Sequence, residues 1–319
     1  MEFLQPRSLA EAIAAKAEHP DAVPIAGGTD VMVEINFDAR RPHALLDLNR
    51  VSELATWQCI GGWGPGEPGP GEPGPGEPGG DGLVRLGAGV TYTRVIAELG
   101  GLLPGLAMAA RTVGSPQIRN RGTVGGNLGA ASPAGDCHPV LLAAGATVEL
   151  ASARGTRLIP AAEFFTGPKR SVLAADELIT AVLVPAAPGP QQFAKIGTRN
   201  AMVIAVCAFA LELRPPLAGP AGTVGTGIGS AGPTPLRALE AEEFLAGALA
   251  EAGLWQTAGR LPDQVAQRFG ELVAAAARPI DDVRGTAAYR RHALSVLARR
   301  TLSWAWETYR TGDGAPGCG

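Results

Sequence analysis

The sequence predicts an α+β protein with more than one domain, and three observations support this class. The chain has 319 residues, enough for two or three domains with cores of their own. Residues 8–48 alternate helix and strand patterns, which predicts a small α/β unit with parallel strands. After a proline-rich break at 185–190, strand patterns precede helix patterns, which predicts an antiparallel sheet backed by helices.

The composition is that of an ordinary globular protein, with 46% hydrophobic and 18% charged residues. The net charge is −3 and no long basic run occurs, which argues against nucleic acid or a membrane surface as a partner. The N-terminus lacks the plan of a signal peptide, and no apolar run reaches the roughly 20 residues that span a bilayer. We therefore expect a cytoplasmic protein.

The cysteines and histidines predict no metal centre in this chain. Cys59, Cys137, Cys207 and Cys318 are far apart and form no CxxC pair, which excludes a disulfide framework, a zinc ribbon and an iron–sulfur ligand set. The four histidines are scattered, so His138 is expected to begin a helix and not to bind a metal.

In the first half, a capping box at Ser8 predicts a helix, and 57–60 with 83–86 can pair as a hairpin. Between them, 61–82 hold 11 glycines and 6 prolines, including GPGEP three times, which predicts a disordered or polyproline-like spacer; a docking peptide is the alternative. The remaining predicted strands of this half are 23–26, 44–48, 146–151 and 177–184, and the remaining helices are 31–35, 91–99, 103–113, 138–144 and 161–165.

In the second half, strands are predicted at 192–197, 203–213 and 223–230. Helices are predicted from Pro235, from about Pro262 and from Thr286. The last helix carries Trp304 and Trp306, which we expect to pack in the core.

The first motif is PIAGGTD at 24–30, a strand that delivers two glycines into the start of a helix. Such a turn exposes backbone N–H groups to an anion, which suggests phosphate or pyrophosphate binding. It is neither GxGxxG nor a P-loop, and a plain turn explains it equally well.

The second motif is the stretch 118–139, IRNRGTVGGNLGAASPAGDCHP. It is too irregular for helix or strand, and a run of this kind usually lies over a ligand. Its glycines allow close backbone approach, and Asp136 can accept bonds from sugar hydroxyls. An N-cap of the following helix is the alternative for Asp136.

Together these motifs closely resemble the FAD-binding medium subunits of the molybdenum hydroxylases, a family that includes xanthine dehydrogenase, carbon monoxide dehydrogenase and aldehyde oxidoreductases. The resemblance continues in KIGTRNAMVIA at 195–205, GIGSAGPTPLRA at 227–238 and DDVRGTAAYRR at 281–291. It implies a FAD-binding domain of the vanillyl-alcohol-oxidase (PCMH) type at 1–186, with subdomains of about 1–56 and 57–186. A C-terminal domain like that of the carbon monoxide dehydrogenase flavoprotein follows at 190–312.

The resemblance also implies the cofactor-binding residues. The first turn wraps the pyrophosphate, the second motif flanks pyrophosphate and flavin, Asp136 contacts ribose or ribityl hydroxyls, and 178–179 bring apolar side chains. Lys195 becomes a charged partner of the flavin, although its sequence context alone favours a solvated surface lysine. The full set is Ile25, Ala26, Gly27, Gly28, Thr29, Asp30, Val31, Thr123, Gly125, Gly126, Asn127, Ser132, Asp136, Leu178, Ile179 and Lys195.

The function implied is electron transfer within a heterotrimer. A large subunit with a molybdenum cofactor oxidises the substrate, two [2Fe–2S] clusters on a small subunit carry the electrons, and FAD on this chain passes them to NAD⁺ or oxygen. Xanthine or another purine is the expected substrate; carbon monoxide or an aldehyde is the alternative. No catalytic acid or base is nominated in this chain.

Two other functions are kept open. A self-contained flavin oxidase would need its own acid–base residues, and the isolated chain would then bleach with an alcohol or aldehyde. An assembly scaffold without flavin would purify colourless with its partner subunits.

Overall fold

The computed structural model describes residues 1–60, 82–217, 219 and 221–312. The predicted spacer at 61–82 therefore lies, except for Gly82, outside the described residues. Over the described part of the chain, no helix has both the length and the apolar character needed to cross a bilayer. The α+β class is confirmed.

The N-terminal unit is a small parallel sheet with two helices. Its elements are β1 (Glu2–Leu4), α1 (Leu9–Glu18), β2 (Val23–Ile25), α2 (Val31–Asn36) and β3 (Ala44–Asp47). The strand order is β1-β3-β2, and both pairings are parallel, as predicted. Ser8 caps α1 by accepting a bond from the Glu11 backbone N–H. The strand β1 was not predicted, because three residues show no periodicity.

The central unit is a five-stranded antiparallel sheet that shares one core with the helices packed against it. Its strands are β4 (Trp57–Ile60), β5 (Leu83–Gly87), β6 (Thr147–Ser152), β7 (Gly155–Pro160), β8 (Phe165–Gly167), β9 (Arg170–Ser171) and β10 (Leu178–Pro185). Its helices are α3 (Tyr92–Glu98), α4 (Pro104–Thr112), α5 (Pro116–Arg121), α6 (Val124–Ala130), α7 (His138–Ala143) and α8 (Ala161–Phe164). The sheet order is β4-β5-β10-β6-β7, and β8 pairs with β9 as a separate hairpin. The predicted pairing of β4 with β5 is confirmed.

The expectation that 118–139 contains no helix before His138 is wrong. Helices α5 and α6 both form, because each has a side chain that caps its first turn. Ser115 accepts from the Ile118 N–H, and Thr123 accepts from the Gly126 N–H at 2.9 Å. Packing of α6 on the central sheet outweighs the low helix propensity of its glycines.

The C-terminal unit is a three-stranded antiparallel sheet covered by helices. Its elements are β11 (Gln191–Gly197), β12 (Ala205–Arg214), β13 (Thr223–Gly229), α9 (Leu239–Glu251), α10 (Leu254–Thr257), α11 (Asp263–Ala276) and α12 (Ala287–Thr311). The strand order is β11-β12-β13. Helices α9, α11 and α12 share one core with β12 and β13, while β13 also packs on α7 of the central unit.

The two tryptophans of α12 differ in their surroundings. Trp306 is buried and its ring lies 5.6 Å from that of Trp255, which confirms the prediction for this residue. Trp304 is 48% exposed, so its predicted packing is wrong. Two residues correspond to roughly 200° of rotation along an α-helix, so the two rings lie on nearly opposite faces.

Candidate functional site

A cavity of about 1080 Å³ lies where the three units meet. Its walls come from residues within 26–31 of the N-terminal unit, from 122–127, 132–136 and 173–179 of the central unit, and from 202–204 of the C-terminal unit. Ligand pockets usually measure about 300–1,000 Å³. The cavity is therefore large enough for an extended cofactor.

The first wall is the double-glycine turn between β2 and α2. A Cβ atom on Gly27 would lie 2.0 Å from the Arg121 carbonyl oxygen, and Gly28 has a φ of +74°, so both positions require glycine. The backbone N–H groups of Gly28, Thr29 and Asp30 donate to no other described group. They are available to an anion.

The second wall is the start of α6, where two adjacent glycines have different roles. A Cβ atom on Gly125 would lie 2.4 Å from the Ala88 Cβ, so this glycine lets the helix pack on the segment after β5. Gly126 faces the cavity, and a Cβ there would meet only the Thr123 hydroxyl within 4 Å. A larger side chain at Gly126 would therefore fill the cavity without clashing with the backbone.

Asp136 and Lys195 form a nearly buried ion pair between the central and C-terminal units. Lys195 Nζ donates to Asp136 Oδ2 at 2.7 Å and also to the carbonyls of Thr112 at 3.0 Å and Val203 at 3.1 Å. Burial raises the pKa of the Asp136 carboxyl, and the Lys195 ammonium opposes that rise. The N-cap alternative for Asp136 is wrong, because Cys137 occupies that position and no side chain caps α7.

Three residues on the cavity wall carry buried polar atoms that have no partner among the described residues. They are the Tyr92 hydroxyl, Asn127 Oδ1 and Asp136 Oδ1. A buried polar atom without a hydrogen bond costs about 1–3 kcal/mol. Because the amide oxygen of Asn127 and the carboxylate oxygen of Asp136 accept bonds, a ligand with hydroxyl groups would satisfy them.

An apolar wall forms where β10 begins. Leu178 and Ile179 are buried to 1% and 8% exposure and line the cavity. Gly129 of α6 lies across from Ile179, and a Cβ on that glycine would be 3.7 Å from Ile179 Cδ1. This wall suits a flat, apolar part of a ligand.

His138 begins α7, as predicted, and lies behind the cavity. It is fully buried, its Nε2 donates to the Asn127 carbonyl at 3.1 Å, and its ring lies 4.6 Å from that of Phe165. Burial lowers the pKa of His138 from 6.5 to about 4, so the ring is neutral near pH 7. A neutral Nε2–H holds the backbone of Asn127 in place.

The structure brings most of the sequence-predicted site residues together. The predicted residues that line the cavity are Ala26, Gly27, Gly28, Thr29, Asp30, Val31, Thr123, Gly125, Gly126, Asn127, Ser132, Asp136, Leu178 and Ile179. Ile25 belongs to β2 and Lys195 to β11, and neither is among the lining residues.

Other lining residues were not predicted from the sequence. Tyr92, Arg170 and Leu173 stand in segments without a glycine motif, so nothing local marks them. Ile204 was predicted to lie in the strand at 203–213. The strand β12 begins only at Ala205, and Ile204 lines the cavity instead. The preceding Met202 has a φ of +51°, which turns this segment towards the cavity.

The lining fits FAD. The free N–H groups of the first turn suit a pyrophosphate, and the unpartnered oxygens of Asn127 and Asp136 suit ribityl or ribose hydroxyls. Leu178 and Ile179 supply an apolar surface. The walls thus offer donors, acceptors and hydrocarbon, which the parts of an extended FAD require.

Comparison with known proteins agrees with this geometry. Residues 1–62 and 78–187 match the family model of the FAD binding domain in molybdopterin dehydrogenase. Residues 192–305 match the CO dehydrogenase flavoprotein C-terminal domain. The two matches together span most of the chain.

Individual relatives match along nearly the whole length. The chain is 30% identical to the nicotine 6-hydroxylase medium subunit of Paenarthrobacter nicotinovorans, over 94% of this chain and 95% of the relative. It is 29% identical to the xanthine dehydrogenase FAD-binding subunit of Escherichia coli O157:H7, over 93% of each chain. A solved structure of carbon monoxide dehydrogenase from Hydrogenophaga pseudoflava superposes with a TM-score of 0.80 at 27% identity, covering 96% of this chain and 97% of that chain. The chain therefore belongs to the FAD-binding medium subunits of the molybdenum hydroxylases, an oxidoreductase family, and its cofactor is FAD.

Proposed function

We propose that the cavity holds FAD in an extended form, with the pyrophosphate against the turn at 26–31 and the start of α6. The isoalloxazine would then point towards Asp136 and residues 202–204. One observation carries the proposal: both glycine turns, an unpartnered carboxylate oxygen and an apolar wall border a single cavity.

Asp136 is proposed to anchor a ribityl or ribose hydroxyl through Oδ1, while Oδ2 stays with Lys195. Direct contact between Lys195 and the flavin stays a prediction. The ammonium of Lys195 already donates to three acceptors, so we propose that its charge acts mainly through Asp136. An ammonium behind the carboxylate favours its ionised form, which can only accept bonds.

The mouth of the cavity supports a role in electron transfer. Met202 and Ile204 line the cavity and are 54% and 59% exposed, so the end near Asp136 opens to solvent. FAD supplies the redox chemistry when bound. The chain itself orients FAD, sets the charge around it and leaves one edge open to an acceptor, for which NAD⁺ or oxygen is proposed.

The partners follow from the family. We propose that a small subunit with [2Fe–2S] clusters delivers electrons and that a large subunit holds the molybdenum cofactor and selects the substrate. Xanthine or a related purine is proposed, with support from the xanthine dehydrogenase relative. Cofactor binding would be divided between two domains, at 1–186 and 190–312. The first of them would consist of subdomains at about 1–56 and 57–186.

Purification of the full chain with its natural partners tests this function. We expect a larger and a smaller chain to co-purify, with molybdenum and iron in the complex and xanthine-dependent reduction of NAD⁺ or oxygen. A complex that turns over carbon monoxide and leaves xanthine unchanged would contradict the substrate. Bleaching of the chain alone by alcohols or aldehydes would instead indicate a self-contained oxidase.

A further inference from the structure

The hairpin of β8 and β9 bridges two walls of the cavity. At its tip, the Lys169 N–H donates to the carbonyl of Ala131, at the end of α6, at 3.0 Å. The Lys169 side chain crosses to the N-terminal unit, where Nζ lies 2.7 Å from Glu34 Oε1 of α2. The hairpin is therefore held against α2, the helix that follows the double-glycine turn.

The residue after Lys169 places an unpaired cation on the cavity wall. Arg170 lines the cavity, and its guanidinium makes no hydrogen bond or ion pair with any described residue. The other cations on the described lining are engaged: Lys16 donates to the carbonyls of Pro20 and Ala22, and Arg40 pairs with Glu34 at 3.4 Å.

The hairpin is shaped to hold this side chain. Gly167 is paired with Arg170 across the hairpin, and a Cβ atom on Gly167 would lie 3.0 Å from Arg170 Nη2 and 3.2 Å from Nε. Glycine at 167 thus leaves room for the guanidinium to lie across the hairpin on the cavity side. A guanidinium presents a planar fork of donors that matches phosphate oxygens.

The acidic residues near the turn call for a cation that balances the charge of a bound pyrophosphate. Asp30 and Glu34 both line the cavity at the start of α2, where the pyrophosphate is proposed to bind. Lys169 and Arg40 already neutralise Glu34. Two donors of the Lys16 ammonium already go to carbonyls, so among the described lining cations Arg170 is the one whose donors are free to offset a pyrophosphate beside Asp30.

We propose that Arg170 is the cationic partner of the FAD pyrophosphate. The β8–β9 hairpin positions the Arg170 guanidinium on the cavity wall. This inference rests on the proposed position of FAD in the cavity. It adds a binding residue that neither glycine motif contains.

The test measures the dissociation constant of FAD for the full chain, stripped of cofactor and titrated at low and high salt. Arg170→Gln is expected to weaken FAD binding about tenfold at low salt, the scale of one hydrogen bond to a charged group. At about 1 M salt the difference between the variant and the wild type should shrink only in part, since a contact pair inside a cavity is screened much less than exposed charges. Arg170→Lys keeps the charge and should recover most of the affinity.

Arg300→Gln is the matched control, because Arg300 is exposed on α12, outside the cavity, with no partner among the described residues. It should bind FAD like the wild type. Equal affinity of Arg170→Gln and the control would overturn the role of Arg170 and leave the FAD site intact. A loss in Arg170→Gln that Arg170→Lys shares, with a lower urea midpoint in both variants, would also overturn it, since that loss would reflect altered structure. A wild type that binds no FAD would overturn the proposed function as well.

Discussion

The buried His138 makes the stability of the fold depend on pH. Its ring is fully buried, and Nε2 donates to the backbone of Asn127, whose side chain lines the cavity. The unfolded imidazole takes up a proton near pH 6.5, whereas burial lowers the pKa of the folded group to about 4. Between these values the unfolded state binds more protons, so the free energy of unfolding falls as the pH falls.

His138→Gln is expected to remove this pH dependence, because glutamine can still donate to Asn127 but does not titrate. Between pH 7 and pH 4 the wild type should lose about 3 kcal/mol more free energy of unfolding than the variant. Urea unfolding of both proteins across this range measures the difference. Parallel pH profiles for the two proteins would contradict a neutral, buried His138.

At individual positions, the sequence predicted those site residues that belong to a recognisable local motif. Gly28 and Gly126 belong to dense glycine motifs, and Asp136 is the only acid within 118–139, so all three were predicted. Arg170 and Tyr92 reach the cavity only through the hairpin and the start of α3, which pack there from elsewhere in the chain. A single sequence contains no local signal for such a placement.

The packing of β13 on α7 joins the C-terminal unit to the cofactor wall. A Cβ atom on Gly227 would lie 1.8 Å from the Pro139 carbonyl oxygen, and one on Gly225 would lie 2.0 Å from that of Ala143. Strand and helix backbones are therefore in direct contact. Because α7 follows Asp136 directly, its position fixes that carboxylate.

Gly227→Ala should separate β13 from α7, since the clash involves backbone atoms that no rotamer change can relieve. We expect the free energy of unfolding to fall by about 1–3 kcal/mol, and FAD affinity to fall with it. Gly247→Ala is the control, because Gly247 lies in α9 and a methyl group added there would have nothing within 4 Å. Urea unfolding and FAD titration compare the two; equal stability would contradict the close packing.

At the level of elements, the strongly periodic segments were predicted, whereas the short helices of the second glycine motif were not. The strand β10 and the helices α11 and α12 agree with the sequence to within a residue or two. The short helices α5 and α6 escaped prediction because glycine and proline obscure their periodicity, although Ser115 and Thr123 supply their caps. The start of β12 was predicted two residues early, at Val203, where the chain instead lines the cavity.

The molecule as a whole builds one site from three units. The N-terminal unit gives the double-glycine turn, and the central unit gives α6 and the loop that carries Asp136. The C-terminal unit gives Lys195 and residues 202–204. Ser230 links the central and C-terminal units: its N–H donates to the carbonyl of Pro133 at 2.9 Å, and its hydroxyl donates to the carbonyl of Ala205 at 2.7 Å. The cavity therefore depends on all three units being docked.

The most direct test of the central claim is the amount of FAD released on denaturation by the wild type, Gly126→Leu and Gly247→Leu. Leucine at 126 would project into the cavity, whereas leucine at 247 lies in α9, outside it. We expect stoichiometric FAD from the wild type and the control, and none from Gly126→Leu, with the urea midpoint of the variant retained. Stoichiometric FAD in Gly126→Leu, or a folded wild type that stays colourless when FAD is added, would contradict the account.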